Sequence, residues 1–108
     1  MSPAFEIREF IEGDRSPFGD WFSDLDAVTA ARIDRNVRRL AAGNFGSVKP
    51  LREGVMELKM DFGPGYRVYF GRDGKTLIIL LGGGSKRRQD ADIAAAVERW
   101  QRYKRSKN

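Results

Sequence analysis

The first pattern along the chain is an alternation of apolar and polar residues in AFEIREFIE, residues 4–12. Phe5 and Ile7 are apolar, whereas Glu6 and Arg8 next to them are charged. A two-residue period of this kind is typical of a strand that is buried on one side only. The alternation therefore predicts a first strand within this segment.

Two helices are predicted to follow this strand. In SPFGDWFSDLD the apolar residues recur three and four positions apart, Ser16 can cap a helix and Pro17 can occupy its first position. Asp26 can cap a second helix, whose apolar period continues as far as Gly43. The apolar face of this second helix is formed by Ala30, Ile33, Val37, Leu40 and Ala41.

The stretch VMELKMDFGPGYRVYF, residues 55–70, predicts a β-hairpin. Two runs with an apolar residue at every second position flank a three-residue GPG loop. Simple antiparallel pairing across this loop sets Asp61 against Arg67 and Lys59 against Tyr69. We therefore expect one face of the hairpin in the core and the other face to be polar.

The remaining segments complete an α+β pattern. Residues 44–54 and the GRDG sequence at 71–74 are predicted to be turns, and the apolar run 77–81 is typical of a central strand covered on both faces. QDADIAAAVERWQRYKR has helical spacing, with Asp90 as a possible cap. The predicted order is β-α-α-β-β-β-α in one domain, residues 1–108, with a small antiparallel-rich sheet of about four strands and helices packed on one side.

Composition limits the chemistry that the chain can perform. The 108 residues include no cysteine and no histidine, so any catalysis would have to use Asp, Glu, Lys, Arg or Tyr. We expect no cofactor and no metal ion. No apolar run approaches the length of a membrane helix, and the first residues lack the features of a signal peptide, so we expect a cytoplasmic protein.

The positive charge is concentrated in the last quarter of the chain. The net charge is +5; residues 1–84 contain twelve basic and twelve acidic side chains, whereas residues 85–108 contain eight basic and three acidic ones. A basic end segment can bind a polyanionic partner, either nucleic acid or an acidic protein. It can equally be a solvated helix end whose cations suit the helix dipole, and charge alone does not separate these interpretations.

The element order, VMELKMDFGPGYRVYF and LLGGGSKRRQDADIAAA together resemble the RelE/ParE superfamily of toxins from bacterial toxin–antitoxin modules. Within it, the chain is most similar to the phage-related addiction module killer group allied to HigB. The resemblance covers nearly the whole chain and implies a RelE-like fold. It implies two partners for the activity, the ribosome and mRNA, and a third that neutralises it, a cognate antitoxin with a HigA-like helix-turn-helix domain.

The superfamily contains two functional classes. Some members are metal-independent endoribonucleases that cut mRNA on the ribosome, and ParE-type members inhibit DNA gyrase without catalysis. The likeness to HigB favours mRNA cleavage. Several ribonuclease members have a His or Tyr after the last strand, where this chain has GGGS at residues 82–85. An inactive toxin-fold binding module is therefore a third alternative.

The resemblance also implies roles for individual residues. Arg67 corresponds to the phosphate-binding arginine of the ribonuclease members, and Lys59 to the basic position of the preceding strand. The cluster of Lys86, Arg87 and Arg88 after the last strand would bind flanking phosphates or ribosomal RNA.

Cleavage at a 2′-hydroxyl requires a base, a proton donor and neutralisation of the phosphorane charge. Arg67 and Lys59 could clamp the scissile phosphate, and Glu57, two residues from Lys59 on the same strand face, is the candidate base. Tyr69 could stack on a nucleobase or donate a proton. Each residue also has a purely structural interpretation: an ion pair of Arg67 with Asp61, a solvated hairpin face for Glu57 and Lys59, and packing for Tyr69.

Overall fold

A five-stranded mixed sheet forms the centre of the computed structural model, which describes residues 4–107. The strands are β1 (Glu6–Glu9), β2 (Val48–Pro50), β3 (Val55–Met60), β4 (Tyr66–Asp73) and β5 (Leu77–Ser85). The helices are α1 (Pro17–Ser23), α2 (Ala27–Ala41) and α3 (Gln89–Ser106), and a short 3₁₀ helix, Lys86–Arg88, precedes α3. The strand order is β1-β5-β4-β3-β2, in which β1 runs parallel to β5 and the other neighbours are antiparallel.

The predicted α+β class is confirmed, but the predicted number of strands is wrong. The sheet has five strands instead of about four, because β2 lies in the segment 44–54 that was predicted to be a turn. This strand has only three residues and ends at Pro50, which has no backbone N–H to donate. Short strands that contain proline are tolerated at a sheet edge, which is where β2 lies. A segment of three residues that includes a proline is too short to show the alternation from which a strand is predicted.

The first two helices begin at the predicted caps. Ser16 Oγ accepts a hydrogen bond from the backbone N–H of Gly19 at 2.8 Å, and Asp26 Oδ1 accepts one from Thr29 N–H at 2.8 Å. The prediction that Asp90 caps the last helix is wrong. It lies in the first turn of α3, where a negative charge still suits the helix dipole.

Helices cover both faces of the sheet, so the prediction of helices on one side is wrong. Helices α1 and α2 pack on one face, in a core that includes Phe18, Ile33 and Phe70. Helix α3 packs on the opposite face, in a second core that includes Trp100 and Ile79. Two covered faces explain why β5 begins with the uninterrupted apolar run 77–81.

The hairpin forms as predicted, with a register that differs by two residues. Met60 lies opposite Tyr66 and Lys59 opposite Arg67, so the loop has five residues, 61–65, instead of three. The predicted pairings of Asp61 with Arg67 and of Lys59 with Tyr69 are therefore wrong. A shift of two residues preserves the face of every side chain, because strands have a period of two.

The predicted GRDG turn is also wrong in part. Strand β4 continues through Arg72 to Asp73, and Gly74, with φ of 68°, lies at the turn into β5. Among residues 4–107, no helix has the length and apolarity that crossing a membrane requires.

Candidate functional site

A buried ion pair joins two residues of the hairpin face that was predicted to be polar. Arg67 Nε lies 3.0 Å from Glu57 Oε1, and the two side chains are only 6% and 3% exposed. Glu57 is paired with Tyr69 in the register and Arg67 with Lys59, so the ion pair runs diagonally across β3 and β4. The Arg67 Nε–H makes no well-directed hydrogen bond, so the attraction is mainly electrostatic. Because an unpaired buried charge is costly, each residue fixes the position of the other.

Three hydrogen bonds connect this ion pair to its surroundings. Gln89, the first residue of α3, donates from Nε2 to Glu57 Oε1 at 3.0 Å. Arg67 Nη1 donates to the carbonyl of Gly65 at 2.9 Å, and the backbone N–H of Lys86 donates to the same carbonyl at 2.8 Å. The hairpin loop, the 3₁₀ helix and α3 are thus joined at one place.

A shallow open cleft of about 300 Å³ lies beside Arg67, between the hairpin loop and the start of the 3₁₀ helix. Its lining residues are Lys59, Asp61, Gly63, Pro64, Gly65, Arg67 and Lys86. Three of these are cations, and the one acid, Asp61, lies 3.6 Å from Lys59 Nζ. The excess of positive charge suits an anionic ligand such as a phosphate group.

Glycine at position 65 keeps the loop close to the arginine. Its φ is +80°, a conformation that side chains other than glycine rarely adopt, and a Cβ there would lie 3.4 Å from Arg67 Nη1. The GPG sequence is therefore used for the wall of the cleft, and not only for the chain reversal.

Tyr69 lies beneath this region and is fully buried. Its hydroxyl has no hydrogen-bond partner, and burial, with a further contribution from the charge of Glu57, raises its pKa. The ring has no face open to solvent, so stacking on a nucleobase is incompatible with this geometry. Its hydroxyl is buried as well, so neither of the two roles predicted for Tyr69 is open to it in this conformation.

The three glycines at 82–84 lie within β5 and allow close packing. A Cβ on Gly83 would overlap the ring of Trp21, and a Cβ on Gly84 would overlap the carboxylate of Asp92. A shift in register between β4 and β5, next to Tyr69, accompanies this run. Because these glycines have no side chains, residues from helices on both faces of the sheet can pack directly against the backbone of β5.

The predicted basic cluster of Lys86, Arg87 and Arg88 forms the exposed 3₁₀ helix. A second open depression of about 390 Å³ extends from Lys86 to Ala91 and shares Lys86 with the cleft. The cluster thus continues the positive surface of the cleft toward α3.

The structure brings Lys59, Arg67 and Lys86 together at the cleft, with Glu57 and Tyr69 buried behind them.

Sequence reasoning missed Gln89 and Asp92. Gln89 contacts a residue 32 positions away, and no local pattern indicates such a contact. Asp92 lies over Gly84, and burial raises its pKa. Among residues 4–107, no group of three or more His, Cys, Asp or Glu side chains is arranged to hold a metal ion.

Comparison with known proteins gives two matches. The model of a family described as phage derived protein Gp49-like (DUF891) matches residues 20–104, which include the hairpin, the cleft and most of α3. An uncharacterized protein from Haemophilus influenzae is 45% identical over 80 residues, which cover 73% of this chain and 81% of that protein.

Proposed function

The chain belongs to the Gp49-like family of phage-derived proteins, and we propose that it is the toxin of a type II toxin–antitoxin module. Membership of this family supports a role in such a module, and the hairpin and glycine-rich junction that resemble RelE/ParE toxins support the same conclusion. The partner that neutralises the chain is then a cognate antitoxin, for which the HigA-like helix-turn-helix type is our proposal.

The activity that we propose is cleavage of mRNA on the ribosome. The observation that carries this proposal is the cleft in which Lys59, Arg67 and Lys86 converge on one small volume. A phosphodiester there would meet the exposed ammonium groups of Lys59 and Lys86 and the part of the Arg67 guanidinium that lines the cleft. These donors can neutralise the charge that develops on the phosphorane. The continuous basic surface of Arg87 and Arg88 would hold the flanking phosphates.

In the proposed reaction, the 2′-oxygen attacks the neighbouring phosphorus and the bond from phosphorus to the 5′-oxygen breaks. The 2′-hydroxyl proton passes to a base, for which Glu57 is our candidate, and a proton passes to the 5′-oxygen, for which Tyr69 is our candidate donor. Both side chains are buried, so they can act only on a substrate that displaces the start of α3 or enters beneath it. In the conformation described here, Glu57 orients Arg67.

The test is to induce the full chain in a bacterium that lacks the antitoxin and to map the 5′ ends of its mRNAs. We expect new ends at fixed codon positions within translated regions. The double variant Lys59→Gln/Lys86→Gln should lose them, because both cations line the cleft and both side chains are solvent-exposed, so the fold is preserved. The matched control Lys49→Gln/Lys75→Gln, at exposed lysines outside the cleft, should keep them.

Two outcomes would overturn mRNA cleavage. Growth arrest without new 5′ ends would indicate a protein target, and a supercoiling assay would then test inhibition of gyrase. The absence of growth arrest from a folded, expressed chain would indicate a binding module without toxicity.

A further inference from the structure

The side chain of Gln89 reaches from the start of α3 to the ion pair beneath it. Its Nε2 donates a hydrogen bond to Glu57 Oε1 at 3.0 Å, and the same oxygen lies 3.0 Å from Arg67 Nε. Among residues 4–107, this is the hydrogen bond that the Glu57 carboxylate accepts from a side chain. The contact with Gln89 therefore helps to set where the counter-charge of Arg67 lies.

The nitrogens of the Arg67 guanidinium have different surroundings. Nε is buried against Glu57, and Nη1 donates to the carbonyl of Gly65 at 2.9 Å. Nη2 makes no hydrogen bond within residues 4–107 and is not fully buried. Because Arg67 lines the cleft, Nη2 is the nitrogen through which its guanidinium is open to a ligand there.

Two contacts determine the direction of this open nitrogen. A guanidinium is planar and its donors have a fixed fork geometry, so holding Nε and Nη1 also fixes Nη2. Glu57 holds the first of these atoms and the carbonyl of Gly65 holds the second. A change in the position of the Glu57 carboxylate would therefore turn Nη2 relative to the cleft.

The attachment of α3 to the sheet does not depend on Gln89. Ile93 and Trp100 lie in the second core, and Arg99 Nη1 donates to the carbonyl of Leu81 at 3.0 Å. These contacts hold the helix along most of its length. The hydrogen bond of Gln89 therefore has its main consequence at the ion pair.

We propose that Gln89 is a positioning residue for the cleft: by fixing Glu57, it holds Arg67 Nη2 toward the anion that the cleft binds. This inference rests on the proposed function, since it takes that anion to be a phosphate group of RNA. Gln89 does not line the cleft, so it acts through Glu57 and not by contact with the phosphate. The start of α3 thereby contributes to the phosphate affinity of the hairpin.

The first measurement is the NMR signal of the Arg67 Nε–H in the full chain without ligand. Gln89→Met keeps the length of the side chain and removes the donor, whereas Gln89→Asn keeps the amide and shortens the side chain by one methylene. Both variants should shift this signal and let its proton exchange with water about fivefold faster, as expected for the loss of one hydrogen bond. Gln101→Met is the matched control, because Gln101 lies on the same helix and donates to Glu53 Oε1 at 3.4 Å. It should leave the Arg67 signal unchanged.

The second measurement is the affinity for a short single-stranded oligonucleotide with 2′-O-methyl riboses, which cannot be cleaved at the 2′-oxygen. Binding is followed by fluorescence anisotropy, and urea denaturation shows that each variant is folded under the same conditions. We expect Gln89→Met and Gln89→Asn to weaken binding about threefold to tenfold, and Gln101→Met to stay within about 1.5-fold of the wild-type chain. A role in stability alone would lower the urea midpoint without moving the Arg67 signal or the affinity.

An Arg67 signal that is the same in both Gln89 variants and the wild-type chain would overturn the positioning role. A changed signal with unchanged affinity would also overturn it, because the orientation of Arg67 would then not matter to the ligand. Failure of the wild-type chain to bind the oligonucleotide would overturn the RNA-binding role of the cleft and the contribution of Gln89 to it. Because the mapping of 5′ ends is independent of both measurements, failure of the positioning role and failure of the proposed function can be told apart.

Discussion

Arg67 and Glu57 form a buried ion pair, 3.0 Å apart, on the face of the hairpin that lies beneath the start of α3. Their neighbour Lys59 lies on the same strand face and is exposed. The polar positions of the alternating hairpin pattern therefore have two different roles. Glu57 and Arg67 are buried and fixed, whereas Lys59 is exposed at the cleft, where Asp61 is its counter-charge.

Replacing Glu57 by Ala should destabilise the fold strongly, because Arg67 would then be a buried charge without a counter-charge. We expect a loss of about 3–5 kcal/mol in the free energy of unfolding, measured by urea denaturation. Asp61→Ala is the matched control, since its ion pair with Lys59 is largely exposed and should contribute less than about 1 kcal/mol. Equal stability of Glu57→Ala and the wild-type chain would show that the pair is not buried in solution.

Local features of the fold could be predicted from the sequence, whereas long-range ones could not. Ser16 and Asp26 were identified as caps because a cap bonds to a backbone N–H only three residues away. The register of the hairpin follows from the length of its loop. The GPG sequence is compatible with a loop of three residues and with one of five, so the sequence alone did not determine the register.

The candidate site could be predicted in part for the same reason. The alternation correctly placed Lys59, Arg67 and Glu57 on one strand face, because that placement follows from the period of a strand. It could not show that α3 covers part of this face, since a polar residue facing solvent and one facing a counter-charge have the same local pattern. Gln89 was missed because its contact with Glu57 exists only after α3 has packed on the sheet.

Replacing Gly83 by Ala should destabilise the fold, because the added methyl group would overlap the ring of Trp21. We expect a cost of about 1–3 kcal/mol in the free energy of unfolding, the usual range for overpacking. Gly46→Ala is a suitable control, since Gly46 is exposed, has a φ outside the left-handed region and faces only the flexible side chain of Asn44. Its cost should be below about 1 kcal/mol. If Gly83→Ala is as stable as this control, Trp21 does not pack on β5 as described.

Alkaline pH should weaken the attachment of the end of α3 to the sheet. Tyr103 donates a hydrogen bond from its hydroxyl to Asp73 at 2.6 Å, and burial together with this carboxylate raises the pKa of Tyr103 to about 12. The pKa of tyrosine in an unfolded chain is about 10. Since the folded value is the higher one, the stabilisation is complete below pH of about 10 and is lost as the pH rises toward 12.

Urea denaturation at a series of pH values tests this dependence. The wild-type chain should lose stability between pH of about 10 and 12, and Tyr103→Phe should show a smaller loss over the same interval. Tyr69 contributes in the same direction because burial raises its pKa as well, so Tyr69→Phe/Tyr103→Phe should show the smallest loss. An unchanged alkaline dependence in Tyr103→Phe would contradict the assignment to Tyr103.

If RNA phosphates bind in the cleft, the affinity for RNA should fall as the salt concentration rises, and the cleft lysines should contribute to that dependence. Each phosphate neutralised on a single strand contributes about 0.7 to the slope of log affinity against log salt concentration. Lys59→Gln and Lys86→Gln should therefore each reduce this slope by about 0.7 for a 2′-O-methyl oligonucleotide. Lys75→Gln, at an exposed position in the turn before β5, should leave the slope unchanged although it removes the same net charge. If all three variants lowered the slope equally, binding would depend on net charge alone, and the convergence of Lys59, Arg67 and Lys86 would have no role in holding the RNA backbone.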